Sequence, residues 1–389
     1  MQLIEVTDRR SANEFLKVPR IIYKNDKNWI SHLDNDIEAV FDRQKNKYYL
    51  LGEAIRWVLI NQKGELIGRV AAFVHPEFSA IFKQPTGGMG FFECINEREA
   101  AFILFDACKN WLVEKGMEAM DGPINFGEKD RFWGLLVDGF EHQPIYTISY
   151  NPPYYREFFE KYGFRNFYNQ NVFYLSRHKG LPPILEKMFE RLINQGYHFD
   201  HLRVSMLEKY ADDFKTIYNE AWSSTHMYFK PITKEAAIHT FKTMKSIFDE
   251  RLAIFAYHKE RPIGFFISIP ELNGVLKYVN GRLNLWGKIK FLYYRWQGKL
   301  NQISGIVFGI VPEFRNKGID AGMIMTLKKY VTENDPPKYE GAYMSWIGDF
   351  NPKMISTAKY IGSETVFLLT TYRLLFDQNA EFERHPVLD

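Results

Sequence analysis

The chain repeats one order of elements at a spacing of about 200 residues, and this restricts it to folds that can be built by duplication. Asn151-Pro152-Pro153-Tyr154, closed by Gly163, parallels Asn351-Pro352-Lys353-Met354, closed by Gly362. Upstream, Glu53 to Ile60 and Ile67 to Val74 alternate across a polar turn at Lys63-Gly64 and read as a hairpin. Arg251 to Tyr257 and Pro262 to Ile269, around Lys259-Glu260, read the same way. Both halves run hairpin, strand, helix, strand, Asn-Pro helix, Gly, final strand. One such parallel could arise by chance, but several in the same order point to a duplicated domain. A length of 389 residues is also long for one core. The break falls between Ser176 and Pro183, dividing the chain into residues 1–180 and 181–389, and Leu185 to Gly196 then reads as helix. The predicted class is α/β with a mixed sheet in each half.

The most chemical stretch lies late in the second half. Gly305 to Ile310 is an apolar run that reads as a buried strand, and Met323, Ile324, Leu327, Tyr330 and Val331 recur at helical spacing. Between them stands Val311-Pro312-Glu313-Phe314-Arg315-Asn316-Lys317-Gly318-Ile319-Asp320-Ala321. A strand, a short basic glycine loop and a helix N-terminus bring free main-chain N–H groups to one point, where phosphate binds well. Arg315 and Lys317 add charge, and Gly318 permits close approach of a ligand. An ordinary strand-to-helix turn is the plainer alternative.

This loop resembles the coenzyme A pyrophosphate loop of the GNAT (Gcn5-related N-acetyltransferase) superfamily, whose pattern is Arg/Gln-x-x-Gly-x-Gly/Ala after a strand. Arg315 and Gly318 fit; Asp320 occupies the second small position, with Ala321 one residue late. The two halves resemble tandem GNAT domains over nearly the whole chain, and Asn151 to Phe164 matches the Asn-helix and Gly-Phe step of that family. At lower specificity the chain resembles bacterial tandem-GNAT proteins that include ceramide-synthase-like N-acyltransferases. The resemblance implies a sheet that splays between its fourth and fifth strands, with the donor, acetyl-CoA or a longer acyl-CoA, entering the splay. It implies a pyrophosphate site at Ile310, Val311, Arg315, Asn316, Lys317, Gly318, Ile319, Asp320 and Ala321, with Asn351 beside it. In the first half Asn96 and Glu99 form a capping-box pattern, and no basic glycine loop opens that helix, so the donor is assigned to the second half.

Transfer to an amine needs a base, an oxyanion site and a leaving thiolate. The family's usual acid, a Tyr on the Asn-helix, falls at Ala358 here and at Phe159 in the first half, and neither donates a proton. Candidate bases are Asp349, at the end of a strand, and His226, whose imidazole titrates near neutrality. Asn351 reads equally as a helix N-cap, and Glu93 as a solvated strand-end acid. The resulting expectation is an N-acyltransferase acting on a primary amine, small or long-chain (sphingoid-like), with no metal. A scaffold that binds acyl-CoA or a partner without turnover is the alternative, and an aminoacyl-tRNA-dependent transferase stands behind both.

Charge and composition bound the partners. A net charge of +3 argues against nucleic acid. Cys94 and Cys108 are the only cysteines, which excludes a disulfide framework and a Cys-rich zinc site and points to a reducing cytoplasm. No signal-peptide pattern or membrane-spanning run is read. Between Glu271 and Glu313 there is no acid, while Lys277, Arg282, Lys288, Lys290, Arg295 and Lys299 fall in that interval. Within it, Leu285, Ile289, Leu292, Trp296 and Leu300 recur at helical spacing. Residues 285–300 therefore read either as a helix lying on an anionic membrane at the inner face or as a helix packed on the other domain.

Overall fold

The computed structural model describes all residues except 224–230, 245–246, 333–337 and 388–389. In the first half the strands are β1 (Gln2–Glu5), β2 (Glu53–Ile60), β3 (Leu66–Val74), β4 (Thr86–Cys94), β5 (Ala119–Gly122), β6 (Leu135–Asp138) and β7 (Arg165–Ser176). Its helices are α1 (Arg9–Ile22), α2 (Asp34–Phe41), α3 (Pro76–Ser79), α4 (Arg98–Glu114) and α5 (Tyr155–Tyr162). The second half supplies β8 (Tyr197–His201), β9 (Ala253–His258), β10 (Arg261–Pro270), β11 (Gln302–Ile310), β12 (Gly341–Tyr343), β13 (Ile347–Gly348) and β14 (Glu364–Leu375). Its helices are α6 (Pro183–Asn194), α7 (Leu207–Trp222), α8 (Lys234–Met244), α9 (Asn273–Leu276), α10 (Leu285–Trp296), α11 (Ile319–Thr332) and α12 (Pro352–Tyr360).

Both hairpins form where alternation predicts them: β2 pairs with β3, and β9 with β10. Among the described residues, all the strands join one mixed sheet, ordered β1-β2-β3-β4-β5-β14-β7-β12-β11-β10-β9-β8, with β6 on β14 and β13 on β7. The halves exchange their last strands. β14, from the end of the chain, lies against β5 of the first half, and β7, from the first half, lies against β12 of the second. The exchanged strands also pack: Tyr372 and Leu374 of β14 belong to the first half's core with Phe105, Tyr155 and Phe159. At the exchange, Arg373 makes a bidentate bond to Asp121 at 2.6 and 2.8 Å, both side chains buried. The rings of Phe82 and Phe167 lie on the guanidinium at 3.9 and 3.7 Å.

In each half the fourth strand meets the fifth in parallel over three residue pairs and then separates. β4 and β5 pair from Thr86–Ala119 to Gly88–Asp121. β11 and β12 pair from Gln302–Gly341 to Ser304–Tyr343. These two forks are the positions at which a ligand can enter the sheet.

One local expectation is corrected. The predicted capping box at Asn96 does not form: α4 is capped at Glu97, with no side-chain bond to its first turn. The segment between Gly122 and Asn151 contains β6 and reaches the second half. There Tyr146 N–H donates to Glu271 and Asn273 Nδ2 donates to Pro144 O. No helix among the described residues is long and apolar enough to cross a membrane.

Candidate active site

The second fork is open. Past Ser304–Tyr343, Ser345 Oγ donates to Gly305 O at 2.5 Å, with Ile306 O at 3.1 Å. Beyond that bridge no strand among the described residues pairs with the β12-facing edge of Val307 to Ile310, while the other edge stays paired to β10. The four residues from Val307 to Ile310 span about 14 Å of unpaired edge, at about 3.4 Å each. An extended amide-bearing arm can lie there and bond to the main chain as a strand would.

The edge leads to the basic glycine loop. Asn316 and Gly318 have φ of +61° and +84°, which turn the chain so that α11 begins at Ile319. Gly318 is favoured by conformation, and the one atom a Cβ there would meet is the movable end of Met188, at 2.7 Å. Among the described residues, no backbone or side-chain acceptor takes the N–H groups of Asn316 through Ala321; the first bond of the helix is Gly322 N–H to Gly318 O. Asp320 therefore does not cap the helix from within, and the positive end of α11 is left for an external anion. Arg315 braces this loop: its guanidinium donates to Ala221 O at 2.7 Å and Ile310 O at 3.3 Å, tying the loop to the end of α7. Lys317 lies over the Phe314 ring at 4.8 Å. Ile310 and Val311 form the end of the strand edge, and Val311 is buried.

At the narrow end of the fork sits Glu271, which sequence reading used only as the limit of an acid-free interval. It is 4% exposed, and its main-chain N–H donates to Gln302 O across from β11. One carboxylate oxygen accepts from the N–H groups of Tyr146 at 2.8 Å and Asn273 at 2.9 Å; the other, Oε2, has no partner. Burial pushes its pKa from 4.5 up to about 7, against the N–H groups of Asn273 and Tyr146 and the Ser304 hydroxyl, which hold it down. Ser304 and Tyr343 are the last pair before the fork opens; Glu271 lies across from Gln302 of β11, two residues before them, with its carboxyl near enough to feel both side chains. Tyr343 is pushed up to about 12 by burial, then by Tyr174 and Glu271, and so keeps its phenolic proton. The only sequence sign of Glu271 is an acid directly after the strand-ending Pro270.

The predicted base Asp349 lies elsewhere. Asp349 donates its N–H to Asn169 O and pairs through its carboxylate with Arg384 at 2.6 Å. Along β7, Asn169 is five residues from Tyr174, the partner of Tyr343, which puts Asp349 about 17 Å from the fork at about 3.3 Å per residue. His226 lies outside the described residues. Asn351 caps α12, accepting from Met354 N–H at 3.2 Å. Ala358 is buried and Tyr360 exposed, so α12 presents no phenol to the fork.

The first fork is sealed. Ile124 N–H donates to Met89 O, and a Cβ on Gly90 would lie 1.8 Å from Ile124 O, so the chain after β5 crosses hard against β4. Tyr155 accepts the Cys94 N–H at 2.6 Å, and Tyr154 donates to Cys94 O at 2.9 Å. Glu93 is buried, not solvated, between Tyr23 at 2.6 Å, Tyr155 at 3.0 Å and Arg69 at 3.5 Å.

No family model matches the chain. The tandem GNAT protein from the clavulanic acid biosynthesis pathway superposes with a TM-score of 0.56 at 10% identity, over 96% of this chain and 98% of that one. The chain has the tandem GNAT fold. Among curated proteins, the bacterial ceramide synthase of Caulobacter vibrioides is 23% identical over 374 residues, 93% of this chain and 94% of its own length. Protein YghO of Escherichia coli is also 23% identical, over 92% and 91% of the two chains. Within the tandem GNAT fold, the second half holds the open fork and the first half holds the closed one.

Proposed function

We propose that the chain moves an acyl group from a coenzyme A thioester to a primary amine, with the donor held by the second half. The observation that carries this is the continuous path from the fork at Ser304, along the unpaired edge of β11, to the uncapped start of α11. A diphosphate at the Asn316–Ala321 N–H groups and an extended arm along β11 would bring the thioester to Glu271. There the amine nitrogen attacks the thioester carbon, main-chain N–H groups along the open edge steady the oxyanion, and the C–N bond forms as the C–S bond breaks. Glu271 takes the proton lost by the amine. The sulfur leaves as thiolate, which a thiol of pKa about 8.5 permits without an acid, and the amine's proton stays on Glu271 until it passes to solvent.

A long-chain amine is the favoured acceptor. Ile306, on the fork, packs against a buried apolar cluster of Leu33, Ile269, Leu272, Val275, Leu276 and Leu300. The relative named a bacterial ceramide synthase points the same way. The alternative, a scaffold that binds acyl-CoA without turnover, draws on the missing phenol of α12. Thiol release on mixing the protein with acetyl- and palmitoyl-CoA and a panel of amines separates the two. Release that depends on a long-chain amine supports the proposal, and binding without release with every amine leaves the scaffold.

A further inference from the structure

The helix α10 places its apolar stripe outward. Leu285 is 72% exposed, Trp286 71%, Leu292 61% and Trp296 82%, with Ile289 and Tyr293 beside them. Only Leu300 of the predicted stripe is buried. Contiguous exposure of two Trp, a Tyr and three aliphatic side chains is unusual for a surface that faces only water.

The helix is held rigidly beneath that stripe. Asn284 caps it, accepting from Gly287 N–H at 2.9 Å. Gly287 is required on the inner face, because a Cβ there would meet Arg282 O at 2.0 Å. Tyr294 stacks on Tyr278 at 3.7 Å, and both Phe291 and Tyr294 pack into the apolar cluster that reaches Ile306. The stripe is therefore a fixed surface of a formed helix.

Cations flank it. Lys288 and Arg295 fall on one side of the stripe and Lys290 on the other, Lys299 follows the helix, and no acid occurs from Leu272 to Pro312. An apolar ridge with Trp and Tyr along it and Lys on both flanks is the form that seats in the headgroup layer, its lysines reaching up to lipid phosphates. A protein partner would have to match the ridge with an equally long groove and the flanks with acids, whereas an anionic bilayer provides both by its nature.

We infer that α10 docks the protein on an anionic membrane surface, seated on Leu285, Trp286, Ile289, Leu292, Tyr293 and Trp296. Docking is independent of the acyl-transfer chemistry, so either can fail alone. It would set the chain beside the phase in which a long-chain amine resides, over the cluster that leads to the fork.

Flotation of the full chain with liposomes tests this. The protein should float with phosphatidylcholine vesicles containing 30% phosphatidylglycerol at about tenfold higher partition than with phosphatidylcholine alone. Trp286→Ala with Trp296→Ala should abolish flotation, and Lys288→Glu with Lys290→Glu should remove the preference for anionic vesicles. Both variants alter exposed side chains, and an unchanged melting temperature verifies that they fold. Three results would each overturn the inference: no flotation of the wild type, flotation unaffected by the Trp pair, or a dimer in light scattering that the Trp pair dissolves.

Discussion

Glu271 is the residue on which the proposed chemistry turns. An acid with one oxygen held by two N–H groups and the other unpartnered is suited to accept a proton and poorly suited to carry charge at rest. Glu271→Gln is expected to lower kcat by about 10²–10⁴ with little change in donor binding. The base must be ionised to act, so kcat/KM should rise with pH through an apparent pKa near 7, and Glu271→Gln should flatten that limb. The same shift acts on stability. Because the folded state holds this proton more tightly than the unfolded state, the favourable contribution is complete below about 4.5 and is lost as pH rises through about 7. The wild type should therefore lose about 3 kcal/mol relative to Glu271→Gln between those limits, measurable by urea unfolding at each pH.

His32 gives an opposite pH slope. Burial first, and then the Arg69 charge, lower its pKa to about 4. Its contribution is present above the unfolded value of 6.5 and lost as pH falls through 4. A His32→Gln variant should be less steeply acid-sensitive in that window, measured by the same unfolding series.

At the scale of elements, local pattern carried well where one element decides its own form. Alternation located both hairpins, and the Asn-Pro pair located the start of α12 because a side-chain cap and a Pro at the first turn are local devices. The glycine loop was legible for the same reason: Gly318 has the positive φ its position demands. The first half shows the limit. Asn96 had the spacing of a cap, but α4 starts after Glu97, and closure of that fork comes instead from Tyr154, Tyr155 and Ile124, which are distant in sequence from β4. Glu271 was illegible on similar grounds. Its carboxylate is held by Tyr146 from the first half as well as by nearby Asn273, and no spacing rule connects Tyr146 to it. Whether α10 packs inward or outward was likewise undecidable from periodicity, because a stripe has the same period in either case.

At the scale of the molecule, the exchange of β7 and β14 couples the halves. Nothing in a linear sequence marks which half a final strand will join, since β7 and β14 are long strands of the same length. The consequence is mechanical. Residues 1–180 expressed alone lack the strand that pairs β5 and supplies Tyr372 and Leu374 to the core, and should be insoluble or molten; co-expression with 181–389 should restore a folded pair. Calorimetry of the whole chain should show one transition. The buried Arg373–Asp121 pair lies at the centre of this exchange, and Asp121→Ala, which strands the guanidinium between Phe82 and Phe167, should cost about 3–5 kcal/mol.

Donor binding at the start of α11 is tested most directly by titrating acetyl-CoA into the wild type and into Gly318→Asp by calorimetry. One site per chain should appear in the wild type and vanish in the variant, whose fold, read by circular dichroism, should be retained. Absence of binding to the wild type, or equal binding to both proteins, would contradict the placement of the diphosphate at these main-chain N–H groups.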